Sequence, residues 1–314
     1  MYERFKGGRS GERSRGYAGK IFRREIMDKE HKLIYEAPLN NCLFCKSKNI
    51  KLWDIDFTKK TIYKCSNCGI RFLNPQYSDE YLQNYYEHYI GVEIDESRKK
   101  QLYEGNNFYL SIIEKYCPIG RFFSIGCGDS IELKVAEERG WQVEGYDVDP
   151  KTVKKLSEKL KIKIFSGDFL KLDLPSNYFD CVYFNQVLEH LKNPQDYLKI
   201  VERILKPNGL IFIASPNVNS VSNYFKTVLG KLGLKKRKRG RHYSTGHHII
   251  YYTPQTLKNI LENYFNFEVV LIRNGYKVRR NQSKLESDVK KNITDIFPWA
   301  STFLIIAKVK KTII

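Results

Sequence analysis

The chain contains 314 residues, of which 42% are hydrophobic and 14% aromatic, so it is long enough to bury a large core and one small additional module. No apolar run approaches the length that spans a bilayer, and the first residues lack the apolar stretch of a signal peptide. We therefore expect no membrane span and a cytoplasmic location. Cysteines in such a location are expected to bind metal rather than to form disulfides.

The net charge of +19 is concentrated in two segments of the chain. Residues 1–24 and 231–241 together contribute 13 of these charges. Charge of this density attracts polyanions such as nucleic acid, anionic lipid surfaces or phosphorylated compounds. For the glycine-containing tail at the start, a merely solvating and disordered role is an equal alternative.

Two C-x-x-C pairs, separated by 19 residues, indicate a metal site near the start of the chain. Four thiolates in this spacing satisfy the tetrahedral geometry of Zn²⁺ and leave no open position for a water molecule. The sequence therefore predicts a structural zinc, although iron accepts the same ligand set. The four predicted ligands are Cys42, Cys45, Cys65 and Cys68.

Beyond the cysteines, helix-forming segments begin at Asp79 and at about residue 97, the second ending near 116. From Arg121 onward the pattern alternates between strands and helices, which predicts an α/β fold with a parallel sheet covered on both faces. Predicted strands cover 121–126, 142–147, 161–167, 180–186, 209–217, 267–273 and 301–309. Asp149, Asn193 and Thr253 each precede a proline and are predicted to cap helices.

The end of the first strand of this series has the pattern of a nucleotide site. Gly126 and Gly128 allow a ligand to approach the backbone, and the helix that follows offers free N–H groups. Asp147 ends the second strand, where an acidic residue accepts hydrogen bonds from ribose hydroxyls. A dinucleotide fingerprint requires a third glycine where Ile131 stands, so the pattern disfavours a dehydrogenase.

Residues 120–310 resemble the class I S-adenosylmethionine-dependent methyltransferases, in particular the ubiquinone-pathway O-methyltransferases and the small-molecule or sugar methyltransferases. The matching stretches are SIGCGDS, the strand end at Asp147, GDF, FDCVYFNQVLEHLKNP and LKPNGLIFIASPN. This resemblance implies a Rossmann-like sheet of seven strands, mostly parallel with the last strand antiparallel, and S-adenosylmethionine as the cofactor. A degenerate, non-catalytic domain of the same fold is the alternative.

The resemblance also implies roles for individual residues. It assigns the methionine part of the cofactor to Gly126, Cys127 and Gly128. It assigns the ribose to Asp147, and the adenine to the carboxylate of Asp168 and the ring of Phe169. The family usually has an acidic residue where Ser124 stands and a glycine where Ser130 stands, yet Ser124 can accept a hydrogen bond and Ser130 can cap the helix. The complete predicted cofactor set is Ser124, Gly126, Cys127, Gly128, Asp129, Asp147, Val148, Asp168, Phe169, Asn185, Gln186 and Val187.

The segment CSNCGIRFLNPQYSDEYLQNYY resembles zinc-ribbon methyltransferases, in which the ribbon leads into a helix that covers the cofactor cleft. Tyr85 and Tyr89 of that helix are predicted either to reach the cofactor or to pack in the core. The predicted domain organisation comprises a basic tail over 1–39, a zinc-ribbon-like module over 40–76, a helical lid over 77–118 and the methyltransferase domain over 119–314.

Methyl transfer is an in-line displacement that requires a positioned acceptor and, for a hydroxyl, a group that removes the proton. Glu189, His190 and His248 lie where acceptor-side groups are expected, and histidine titrates near neutral pH. A purely structural role in holding the loop is the alternative for each of them. The predicted catalytic residues are His190, His248 and Glu189.

The basic segment 231–241 falls between the fifth strand and the next helix, above the expected acceptor site. It therefore predicts an anionic acceptor: a small molecule, a glycan or a lipid-linked sugar. A ribosomal RNA methyltransferase with a four-cysteine zinc domain is the alternative, although NQVL stands where base-methylating enzymes carry N-P-P-Y. Peripheral contact with anionic lipid and a non-catalytic nucleic-acid-binding role are further alternatives.

Overall fold

The computed structural model describes residues 35–55, 60–89, 95–128, 130–232, 247–275 and 300–310. Residues 1–34 of the predicted basic tail and all but the first two residues of the basic segment 231–241 lie outside these ranges, as does Asp129. Within them, no helix is both long enough and apolar enough to cross a lipid bilayer.

Eleven strands and seven α-helices are present in the described residues. The strands are β1 (Ile50–Ile55), β2 (Thr61–Cys65), β3 (Arg71–Leu73), β4 (Arg121–Ile125), β5 (Gln142–Tyr146), β6 (Lys163–Phe165), β7 (Phe179–Asn185), β8 (Leu205–Pro216), β9 (Ile250–Tyr251), β10 (Phe267–Asn274) and β11 (Thr302–Val309). The helices are α1 (Asp79–Tyr89), α2 (Glu96–Ile113), α3 (Ile131–Glu138), α4 (Pro150–Leu160), α5 (Pro194–Ile204), α6 (Val221–Lys231) and α7 (Pro254–Tyr264).

Seven strands form the main sheet in the order β10–β11–β8–β7–β4–β5–β6. The five strands from β8 to β6 are parallel, and β11 is antiparallel to both of its neighbours, β8 and β10. The predicted Rossmann-like sheet with an antiparallel last strand is therefore confirmed. Its carboxyl-terminal edge, where loops leave β4, β5 and β7, is where ligands bind in sheets of this type.

The two faces of the main sheet carry separate hydrophobic cores, because successive side chains of a strand point to opposite faces. Phe122 of β4 packs against Trp141 and Tyr183 on one face. Its neighbour Phe123 packs against Phe179 on the other face. Both phenylalanines are fully buried, as expected for a parallel sheet with helices on both faces.

A second sheet joins the N-terminal cysteine-containing part to the rest of the chain. It has four strands in the order β1–β2–β3–β9, and all of its pairs are antiparallel. Its last strand, β9, lies between α6 and α7 in sequence, and the amide of Leu73 donates to the carbonyl of Ile249 at 2.8 Å. The segments that we predicted as a zinc module and a methyltransferase domain thus share one sheet and one hydrophobic core.

The helix starts follow the predicted capping pattern in two of three places. The side chains of Asp149 and Thr253 accept hydrogen bonds from the first turns of α4 and α7. Asn193 precedes α5 but makes no capping hydrogen bond with its side chain. The prediction for Ser130 also needs correction, since its left-handed backbone (φ 59°) precedes α3 without a side-chain cap.

Candidate active site

The backbone of the turn after β4 allows a ligand to approach closely. Gly126 and Gly128 have φ values of +75° and +36°, and the amides of Gly126 and Cys127 both donate to the carbonyl of Tyr146, at 2.7 and 3.1 Å. A Cβ atom at Gly126 would lie 2.6 Å from Cγ2 of Val187. Gly126 is therefore needed both for its positive φ and for the space that Val187 occupies. We call residues 124–130 the glycine turn.

Asp147 ties the glycine turn to the end of β5. Its Oδ2 accepts a hydrogen bond from the amide of Gly128 at 2.8 Å, and its Oδ1 accepts one from the amide of Asp149 at 3.1 Å. The side chain is buried, and this burial raises the pKa of Asp147 above its ordinary value, although the backbone hydrogen bonds act in the opposite direction. Each carboxylate oxygen keeps a further lone pair for a ligand hydroxyl.

A carboxylate that the sequence analysis missed lies beneath the glycine turn. The hydroxyl of Ser124 donates to Oε1 of Glu132, in the first turn of α3, at 2.9 Å, and both side chains are buried. The only signal in the sequence was a glutamate at an otherwise core-facing position of an apolar helix segment. The acidic residue near the strand end therefore comes from the helix rather than from β4.

The residues predicted to bind adenine differ in their exposure to solvent. Asp168 is half-exposed, and its Oδ1 accepts from the amide of Leu170 at 3.1 Å. Val148 is 52% exposed beside Asp147. The ring of Phe169, in contrast, is fully buried and stacks on Tyr197 with ring centroids 4.6 Å apart, so it has no surface to offer a ligand. The predicted role of Phe169 in binding adenine stays a prediction, and its enclosed ring favours a contact through the backbone.

The end of β7 turns sharply toward the glycine turn. Asn185 is partly buried, and Gln186 is exposed with a positive φ of 60°, while its amide donates to the carbonyl of Ala214 at 2.8 Å. Asn106 of α2, which the sequence analysis did not single out, reaches this strand end. Its Oδ1 accepts from the hydroxyl of Tyr183 at 2.7 Å and lies 3.5 Å from Nδ2 of Asn185.

Three histidines meet next to this strand end. His190 closes the 3₁₀ turn Leu188–His190 after β7, and His247 and His248 directly precede β9. The rings of His190 and His247 are stacked 4.9 Å apart, and that of His248 lies edge-on to both at 4.7 and 4.6 Å. We call these residues the histidine cluster. Two predicted catalytic residues, His190 and His248, are thus brought together with a third histidine.

Hydrogen bonds fix the orientation of two of these rings. Nδ1 of His190 lies 3.2 Å from the carbonyl oxygen of His247, and Nδ1 of His247 lies 2.8 Å from the hydroxyl of Tyr85 in α1. Burial lowers the pKa of His190 to about 3 and that of His248 to about 2. Both imidazoles are therefore neutral at physiological pH.

The side chain of Glu189, the third predicted catalytic residue, is enclosed by the protein. It is 1% exposed, its Oε2 accepts from the hydroxyl of Ser215 at 3.2 Å, and burial raises its pKa to about 8. Oε1 has no hydrogen-bond partner and lies 4.0 Å from Nε2 of His190. The catalytic role of Glu189 stays a prediction, and the enclosed carboxyl group favours its structural alternative.

The four predicted metal ligands lie together, with their sulfur atoms all within 4.8 Å of one another. The sulfurs of Cys42 and Cys68 are 3.6 Å apart, as are those of Cys45 and Cys65. The hydrogen bond with Cys68 lowers the pKa of Cys42 to about 5, and the same bond raises the pKa of Cys68 well above its ordinary value. We call these residues the four-cysteine cluster.

The two C-x-x-C loops of this cluster fold alike. In the first, the amide of Lys46 donates to the carbonyl of Cys42 at 3.1 Å, and Lys46 has a φ of 60°. In the second, the amide of Gly69 donates to the carbonyl of Cys65 at 3.1 Å, and Gly69 has a φ of 78°. Each loop therefore turns back on itself directly after its second cysteine, which aims both sulfurs of the pair at one point.

Comparisons with known proteins identify the family. A family model described as "Methyltransferase domain" matches residues 80–272, well over half of the chain. The ubiquinone biosynthesis O-methyltransferase of Chromobacterium violaceum is 26% identical over 156 residues, which cover 47% of this chain and 67% of that protein. The protein of the same name from Nitrosospira multiformis is 27% identical over 155 residues, 46% of this chain and 64% of the relative.

The chain is also similar to solved structures. A chain in the complex between the Haloferax volcanii Trm112 methyltransferase activator and a methyltransferase has a TM-score of 0.50 at 12% identity, covering 73% of this chain and 98% of that one. A methyltransferase of Archaeoglobus fulgidus, described as dependent on S-adenosylmethionine, has a TM-score of 0.46 at 22% identity and covers 72% and 99%. From the family match and the sheet topology together, this chain belongs to the methyltransferase-domain family and is a class I S-adenosylmethionine-dependent methyltransferase.

Proposed function

We propose that this enzyme transfers the methyl group of S-adenosylmethionine to an oxygen atom of a small-molecule or glycan-type acceptor that carries negative charge. The observation that carries the proposal is the histidine cluster beside the cofactor turn. Val187, which packs over Gly126, is only three residues from His190. The names of the O-methyltransferase relatives support a hydroxyl acceptor, and the basic segment 231–241 supports its negative charge.

In this proposal the cofactor lies along the carboxyl-terminal edge of β4, β5 and β7. The glycine turn, through Gly126, Cys127 and Gly128, receives the methionine part, and Asp147 accepts from the ribose hydroxyls. The adenine is assigned to Val148, Asp168 and the backbone of Phe169. Asn185 and Gln186 are assigned to the wall at the end of β7.

The acceptor is assigned to the side of the histidine cluster. Methyl transfer is an in-line displacement, so the acceptor oxygen has to be held in line with the departing sulfur, and its proton has to be removed. We assign the rings of His190 and His248 to the wall of the acceptor site, where they position the acceptor. Tyr85 of α1 orients the third ring, that of His247. Glu189 is assigned a positioning role behind His190.

We also propose a structural zinc ion in the four-cysteine cluster. Zn–S bonds of about 2.3 Å at tetrahedral angles require sulfurs about 3.8 Å apart, close to the two distances of 3.6 Å. The amide of Phe44 donates to Sγ of Cys42 at 3.4 Å, and Nδ2 of Asn67 donates to Sγ of Cys45 at 3.6 Å. Such N–H···S bonds stabilise thiolates, the form in which cysteine binds a metal.

The acceptor class can be tested with S-adenosylmethionine that carries a labelled methyl group. The full-length enzyme is incubated separately with small-molecule, glycan and lipid extracts and with total RNA. We expect label in a small-molecule, glycan or lipid fraction, and none with the Asp147→Ala variant as the matched control. Label that appears only in RNA would replace this proposal by the alternative of an RNA methyltransferase.

A further inference from the structure

We propose that the histidine cluster is a second metal site, which takes a transition-metal ion such as Zn²⁺ through one nitrogen of each ring. One nitrogen from each of His190, His247 and His248 lies within 4.8 Å of the other two. All three side chains are partly buried, so the cluster is held by the protein and still reachable from solvent. Imidazole is a preferred ligand of zinc and its neighbours in the first transition series.

One hydrogen bond of the cluster assigns the hydrogen atom of the His190 ring. Because Nδ1 of His190 lies 3.2 Å from the carbonyl oxygen of His247, which can only accept, the hydrogen atom of the ring belongs on Nδ1. The lone pair of His190 is then on Nε2. Nδ1 of His247 lies 2.8 Å from the hydroxyl of Tyr85, and this contact orients the second ring. Metal-binding histidines typically use one nitrogen for such an outer partner and the other for the metal.

A buried carboxyl oxygen next to the cluster supplies an independent observation. Oε1 of Glu189 is buried without a hydrogen-bond partner, and it lies 4.0 Å from Nε2 of His190. Burying a polar oxygen without a partner is unfavourable, so its persistence needs a reason. A cation bound to Nε2 of His190 would provide that reason, because it would stand close to this oxygen and favour the ionised form of the carboxyl group.

The geometry requires a modest contraction when the ion binds. Zn–N bonds of about 2.0–2.1 Å at tetrahedral angles require nitrogens about 3.3 Å apart, and the stacked rings of His190 and His247 have to tilt toward each other to reach this value. Three protein ligands leave at least one coordination position open, as in catalytic rather than structural zinc sites. The proposed function would place this open position on the acceptor side, whereas metal binding itself does not depend on the proposed function.

The test is a metal titration of the full-length protein without acceptor. The protein is first prepared with about one zinc per chain in the four-cysteine cluster, and Zn²⁺ is then added in a calorimeter. We expect a second binding event of one ion per chain. His247→Ala and His248→Ala should each weaken this event at least tenfold, while His242→Ala, which removes a histidine only a few positions away in the sequence, should leave it unchanged.

A second measurement keeps the proposal testable if a variant fails to fold. Co²⁺ added to the unmodified, zinc-loaded protein should give weak d–d bands without the intense thiolate-to-cobalt absorption of a cysteine site. Absence of a second binding event, or an equal loss in His242→Ala, would overturn the proposal. Since neither readout involves methyl transfer, a wrong acceptor class would leave both unchanged.

Discussion

The hydroxyl of Ser124 in β4 donates a hydrogen bond of 2.9 Å to Oε1 of Glu132 in the first turn of α3. Methyltransferases of this class usually carry an acidic residue at the strand position where this chain has Ser124. Here the carboxylate reaches the same place from the helix that follows the glycine turn. The pair therefore joins the strand before the turn to the helix after it, and it fixes both ends of the segment assigned to the cofactor.

The first prediction concerns this pair. Glu132→Ala removes the buried acceptor of the Ser124 hydroxyl, and we expect a loss of about 1–3 kcal/mol in the free energy of unfolding. Affinity for S-adenosylmethionine should also fall, because the glycine turn loses one of its anchors. Glu132→Gln keeps an acceptor oxygen and should lose less in both measurements, which are denaturant unfolding and calorimetry. Full additivity of Ser124→Ala and Glu132→Ala would contradict a direct coupling between them.

The second prediction concerns Asp147 and pH. Because burial raises the pKa of Asp147, its carboxylate becomes protonated at a higher pH than an exposed one. Cofactor affinity should be constant near neutral pH and should fall as the pH is lowered through this raised pKa, since the protonated group accepts fewer hydrogen bonds from the ribose. Asp147→Ala should weaken binding at neutral pH by about 1.5–3 kcal/mol, measured by calorimetry.

Asp147→Asn is the matched control for the pH effect. It cannot ionise, so its affinity should be low and should lack the acidic decline that depends on this group. The free energy of unfolding depends on pH in the opposite sense to the affinity. A carboxyl group with a raised pKa favours the folded state at low pH, and this contribution is lost as the pH rises through that pKa. The stability of the wild type relative to Asp147→Asn should therefore decrease over that range. Parallel affinity profiles of the two proteins would refute the assignment.

The strands of the main sheet could be predicted from the sequence because their signals are local. Each predicted strand from 121–126 to 301–309 overlaps an observed strand, since short apolar runs bounded by turn residues have few alternatives. The four-cysteine cluster was equally local, with its ligands in two tight loops. The pairing of β9 with β3 was not predictable, because the two-residue strand Ile250–Tyr251 is too short for a periodic signal.

Contacts within the candidate site could be predicted where they follow from neighbouring strand ends of the sheet, and not where distant segments meet. Gly126, Gly128 and Asp147 lie at successive strand ends, so their proximity follows from the parallel sheet. The contact between Tyr85 and His247 joins residues 162 positions apart, and it depends on how α1 packs against β9. The burial of Phe169 likewise depends on Tyr197 of α5, which the sequence pattern could not place above its ring.

The third prediction concerns the four-cysteine cluster. We expect about one zinc per chain by elemental analysis, and its loss from the cluster in Cys65→Ser. Replacing Cys65 should lower the melting temperature of the whole chain rather than of a separate unit, because β3 pairs with β9 and both parts share a core. Cys117→Ala, which changes a buried cysteine outside the cluster, should leave the zinc content unchanged. Zinc content that survives replacement of all four cysteines together with His248→Ala, which disables the proposed histidine site, would refute the cysteine site.

The last prediction concerns the basic segment and separates the two acceptor classes. If the cations near Arg237, Lys238 and Arg239 bind one or two phosphates or carboxylates, neutralising these three residues should raise the acceptor KM strongly and leave cofactor affinity nearly unchanged. Added salt should then weaken acceptor binding only modestly. An RNA acceptor would behave differently, because each phosphate contact releases counterions, and many contacts would reduce affinity by about a thousandfold over a few-fold rise in salt. KM measured at several salt concentrations, for the wild type and the neutralised variant, distinguishes a shallow slope from a steep one. A steep slope together with labelled RNA would exclude the small-molecule acceptor.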